Sequence, residues 1–131
     1  MTLLIAVVVL AHGVGHILFL GPALRVVAWA DQTSHSWLLT AALGDGPSHA
    51  IASLVWSAAI VLFVAGVAGY LTDAAWWRSA TVVAAVVSLV GIVVFWDGLA
   101  MPSAVFALIA DLTILAALLI AHWPAIAKTP A

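Results

Sequence analysis

Four stretches of this chain are apolar for long enough to cross a bilayer: roughly residues 2–20, 48–71, 74–96 and 102–123. Each approaches the ~20 residues that a hydrocarbon core of ~30 Å requires of a helix. No segment alternates polar and apolar residues over ~10 positions, as barrel strands do. In lipid the backbone must satisfy its own polar groups, which leaves helices. The expectation is an all-α integral membrane four-helix bundle, a single transmembrane domain over residues 1–131. Only 6% of the residues are charged, against roughly a quarter in soluble domains. The lipid bilayer is therefore the expected main partner, and a net charge of −2 gives no footing for nucleic acid. With no cysteine, disulfides, thiolate metal sites and cysteine nucleophiles are excluded.

The connections follow from the same pattern. Short links at Asp73 and at Asp97–Met101 make antiparallel neighbours. The link over residues 21–47 is too long for a bare loop. Within it, "ALRVVAWA" and "HSWLLTAALG" read as one or two short amphipathic interfacial helices. Ser34 is a candidate cap for the second, and "GDGP" is a turn signal. The first ten residues carry no Lys or Arg, so they read as a retained helix, not a cleaved signal. Arg78, Lys128 and the amino terminus fall on one side and only Arg25 on the other. That bias places the protein in the cell membrane with both termini cytoplasmic.

Within this apolar frame, His12 and His16 stand four residues apart in the first span, on one helix face. Counting residues from the outer face places His12, Trp56, Ser57, Ser88 and Asp111 within about one helical turn of a common depth. His49 lies nearer the surface, with Ser53 and Ser57 on its face. The inner half of every span is almost wholly apolar. The polar residues thus outline a chamber open outward and closed inward. A channel or carrier within one monomer is disfavoured, because a pathway needs polar lining through its depth.

Asp111 is the most demanding residue, since a central carboxylate costs about 2.5–3.5 kcal/mol on insertion scales. It needs a partner, and His12 has the matching depth. His at i and i+4 can hold one ion, the arrangement of the zinc-protease helix; Gly13 stands where that motif has its Glu. A site of His12, His16 and Asp111, with His49 or water as fourth ligand, suits zinc or a similar borderline divalent ion. Asp111 is a ligand or the group that orients one. An open coordination position could activate water. No serine has a base and orienter in sequence, so no catalytic residue is assigned.

The motif "AHGVGHILFLG" resembles that of small bacterial four-span membrane proteins whose first helix reads H-G-x-x-H and whose later spans are Trp-rich. His12, Gly13, His16, Leu18 and Phe19 carry the match. The resemblance implies a four-helix membrane protein and brings no activity, cofactor or catalytic residue. Three readings stay open. One is a divalent-metal chamber. The second is an accessory or structural subunit of a membrane complex, self-associated or bound to a larger membrane protein, in which His12 and Asp111 only latch helices. The third is a haem-binding anchor with His16 and His49 as axial ligands.

Overall fold

The computed structural model describes residues 1–27, 29 and 31–124. Lys128, counted above for the orientation, and the rest of residues 125–131 lie outside the described residues. The helices are α1 (Thr2–Gly15), α2 (Ile17–Ala23), α3 (Leu39–Leu43), α4 (Asp45–Leu71), α5 (Trp77–Val94) and α6 (Met101–Leu115). A 3-10 turn, Trp96–Gly98, links α5 to α6, and α6 widens into a π turn over Ala116–Ile120. Taking α1 with α2, and α6 with its π turn, four helices are long and apolar enough to cross a membrane. No β-strand occurs among the described residues.

Local chemistry sets the ends that matter. Helix α4 starts at Asp45, inside the "GDGP" stretch. Gly44 takes φ 85°, a left-handed turn open to glycine. Pro47 then falls in the first helical turn, where its missing N–H breaks no bond. Asp45 places a carboxylate at the positive end of the helix dipole. Between α1 and α2 the break is at His16. Its ring Nδ1 lies 3.1 Å from the His12 carbonyl and 3.2 Å from that of Gly13. A side chain that bonds backbone carbonyls in this way competes with the helix ladder, and the His16 amide bonds Gly13, three residues back.

Helix α4 is central: it packs on α1, α2, α3 and α5, while α6 packs on α5. Lipid is as apolar as the side chains, so contact between helices depends on close fit. Four glycines provide it, Gly69 against Trp77 among them. Gly13 faces Phe63, Gly66 faces Thr81, and Gly91 faces Val55 and Trp56. Helices α1 and α6 instead face each other across a cleft of about 610 Å3, lined by Ala11, His12, Gly15, Ser103, Ala107 and Ala110 among others. The spacing of Ala11 and Gly15 predicts close helix packing; in the structure both are exposed along this cleft.

The long link forms a strap over the end of α5. Of the expected helices in it, the second is present as α3. The first is not: the described part of "ALRVVAWA" turns at Arg25, which has φ 59°. Ser36, not Ser34, caps the turn into α3, accepting the Leu39 amide at 3.0 Å. The Ser36 hydroxyl donates to the Val94 carbonyl at 2.5 Å, and the Trp37 indole N–H donates to that of Val93 at 2.8 Å. These are terminal carbonyls of α5 that the helix itself leaves without partners. Asp97 fixes the strap, accepting the Trp37 amide at 2.9 Å and pairing with His35 Nδ1 at 2.6 Å. Asp97 is thus more than a helix-end turn residue. Asp97→Ala is expected to speed amide exchange at Trp37 roughly tenfold while core amides are unchanged. Unaltered exchange there would show that the strap holds without Asp97.

Candidate metal centre

The break at His16 turns its ring toward α5 and α6, and a chain of side chains follows. His16 Nε2 lies 2.6 Å from Ser88 Oγ on α5. The Ser88 hydroxyl donates to Asp111 Oδ2 on α6 at 2.5 Å. Asp111 Oδ1 lies 2.7 Å from His12 Nε2, which closes the path back to α1. Thus the two histidines four residues apart are joined through other helices, His12 by Asp111 on α6 and His16 by Ser88 on α5. His16, Ser88 and Asp111 are buried, and the His12 side chain keeps 11% of its surface exposed.

Proton counting constrains this chain. The carbonyls of His12 and Gly13 only accept hydrogen bonds, so His16 Nδ1 carries a proton. In neutral His16, Nε2 is then a bare lone pair. Ionised Asp111 offers another acceptor in Oδ2. Ser88 lies between them with a single proton, which cannot serve both contacts. A further positive species is required at this hub, and either an extra proton or a cation supplies it. One ligand atom each from His12, His16 and Asp111 lie within 4.8 Å of one another. The carbonyl bonds to His16 Nδ1 also match the usual support of a metal-binding histidine, whose second ring nitrogen donates to a carbonyl or carboxylate.

The surroundings are aromatic and tight. Phe63 lies 5.0 Å from the His12 ring and 5.7 Å from the His16 ring, and Trp56 lies 5.8 Å from His16, centroid to centroid. Toward the α5–α6 turn, Phe19, Trp56, Ile92, Phe95, Leu99 and Ala104 form one packed cluster. The chamber expected from residue depths therefore has a filled core on that side. Its opening lies alongside, in the α1–α6 cleft, which His12 lines from Val8 and Ala110 up to Leu18 and Pro102. A second cleft of about 280 Å3, shared at Val8, runs toward Tyr70, Trp77 and Trp123 with almost wholly apolar walls.

His12, His16 and Asp111 are the sequence candidates that the fold brings together. His49 stands apart from that group; its Nδ1 lies 3.2 Å from the Ala23 carbonyl. Ala23 is seven residues beyond His16, about 10 Å along the helix, so the two proposed haem ligands have separate partners. Ser53 donates back to the His49 carbonyl at 2.9 Å. The backbone carbonyl of His122 accepts a bond from Arg78 at 3.1 Å, at the opposite end of the molecule. Ser88 is the member that residue chemistry alone did not single out. Its depth matched that of Asp111, and that was its only signal.

Fold and site define a class: an all-helical chain with four membrane-length apolar helices and a buried His–Ser–Asp–His chain among three of them. Comparison with protein-family models, curated proteins and solved structures finds no match to this chain.

Proposed function

We propose that this is an integral protein of the cell membrane whose four long helices cross the bilayer as a bundle, with both termini cytoplasmic. In this reading His12, His16 and Asp111 bind a borderline divalent cation such as zinc. Large apolar side chains stand exposed on every long helix, among them Leu4, Leu54, Val90 and Phe106. A surface of that kind calls for lipid as its solvent. By sequence, Arg78, Lys128 and the amino terminus on one side against Arg25 alone on the other give the charge bias for the orientation.

The observation that carries the metal reading is the convergence of two imidazoles and a carboxylate around a hub that needs a positive charge. Two nitrogens and hard oxygen suit zinc and its first-row neighbours. The helix-latch reading is favoured by a different observation: each of the three residues already has a hydrogen-bond partner. Metal analysis of detergent-purified protein separates the two. A stoichiometric divalent ion, lost in His12→Ala, is the expected result. Protein that binds no ion from zinc- or cobalt-supplemented buffer would leave the latch alone.

A further inference from the structure

We propose that Ser88 is the fourth ligand of this centre, its hydroxyl oxygen completing a two-nitrogen, two-oxygen set with His12, His16 and Asp111. The inference rests on the metal reading above. Ser88 Oγ lies 2.6 Å from His16 Nε2 and 2.5 Å from Asp111 Oδ2, closer to both than they lie to most other polar atoms. It is fully buried on α5, so the ligands come from α1, α5 and α6. An ion that satisfies His16 and Asp111 at this hub necessarily meets Ser88. His49, the sequence candidate for the fourth place, bonds the end of α2 instead.

Two adjustments are required: the hydrogen-bonded pairs open, and the wider pairs, up to 4.8 Å apart, close by about 1.5 Å toward tetrahedral spacing. Donors around a tetrahedral zinc are about 3.3 Å apart, given bonds of about 2.0–2.1 Å. The 2.5–2.7 Å contacts therefore open by under an ångström as an ion replaces a shared proton. Protons balance as follows. Three protons lie in the three gaps of the satisfied chain. On binding, Ser88 keeps one and coordinates through a lone pair, and His12 moves one to Nδ1 and coordinates through Nε2. The third leaves to solvent. Asp111 binds as carboxylate and His16 keeps its Nδ1 proton on the carbonyls. A mixed set of this kind accepts zinc, cobalt(II), iron(II) or manganese(II).

Cobalt(II) is the probe. The chain has no cysteine, so Ser88→Cys introduces a single thiol. If position 88 coordinates, that variant with Co2+ shows an intense near-ultraviolet thiolate-to-cobalt band. Wild type and Ser53→Cys, whose position bonds its own helix backbone, do not. Ser88→Cys that binds Co2+ with only the wild-type visible bands would overturn the inference and leave the metal reading standing. Wild type that binds no Co2+ would overturn both. Ser88→Ala guards against a misfolded thiol variant. It is expected to shift the visible bands of bound Co2+ and to weaken binding at least about tenfold; an unchanged spectrum places Ser88 outside the coordination sphere.

Discussion

Gly13→Ala is expected to disorder the centre, while the same change at Gly15 leaves it intact. The two glycines lie in one helical turn of α1 and face different surroundings. A Cβ on Gly13 would overlap the Phe63 Cβ and lie 3.0 Å from its Cγ, and Phe63 is fully buried. Neither atom sits at the end of a flexible side chain, so relief requires α1 to move off α4. Overpacking of this kind costs about 1–3 kcal/mol. Here it also displaces the Gly13 carbonyl that holds His16 and shifts both histidines relative to Ser88 and Asp111. A Cβ on Gly15 meets nothing within 4 Å. Its replacement removes a flexible residue from a helix and is worth roughly 0.5–1 kcal/mol in the other direction. Unfolding in detergent micelles, with Co2+ uptake measured in parallel, reads both effects. Equal stability for the two variants would mean that α1 does not seat on Phe63 as described.

That contrast shows what the sequence made legible and what it did not. Four long apolar helices followed from hydropathy, because length and the lack of charge are local properties. Which small residues face a neighbour is not local. Ala11 and Gly15 have the spacing of a packing stripe, yet they line the α1–α6 cleft; Gly13, outside that stripe, makes the close approach. Spacing identifies residues on one helix face and is silent about what that face meets. The strap was legible only as an overlong link. Its anchors are terminal carbonyls of α5, and backbone acceptors carry no residue signature.

Residue depth was the more informative coordinate for the site. His12, Ser88 and Asp111 share a level by counting from the span ends, and the fold joins them. His49, named as a possible fourth ligand, lies near the span end by the same count, and there it bonds Ala23. Histidines four apart were read as one face, and their rings lie 5.0 Å apart; what spacing did not show is that His16 Nδ1 bonds the His12 and Gly13 carbonyls where the helix breaks. The contacts of Ser88 depend on α5 presenting it to both His16 and Asp111, which is a matter of tertiary order and not of composition.

Asp111 offers the separation of latch from binding site, because asparagine and alanine act on different parts of its role. Asp111→Ala leaves His12 Nε2 facing a void, while the Ser88 hydroxyl is freed to donate to His16 Nε2. With one part-buried polar group unpartnered, the expected loss is roughly 1–3 kcal/mol, along with weakened closure of α1 onto α6. Asp111→Asn is different. Its oxygen accepts from His12 Nε2–H, its amide donates to Ser88 Oγ, and the Ser88 hydroxyl donates to His16 Nε2. Every bond in the chain is then satisfied with neutral groups, and the extra positive species that the carboxylate demanded is no longer needed. Stability is expected to remain within about 1 kcal/mol of wild type, in keeping with the modest worth of interhelical hydrogen bonds in membranes. Cation binding, which needs the negative oxygen to offset the charge of the ion in an apolar interior, is expected to be lost. A variant that stays folded and no longer takes up Co2+ places the need for Asp111 in its charge. An Asp111→Asn protein that binds Co2+ as tightly as wild type would remove the carboxylate from the centre and reduce its contact with His12 to a fastening between the first and last helices.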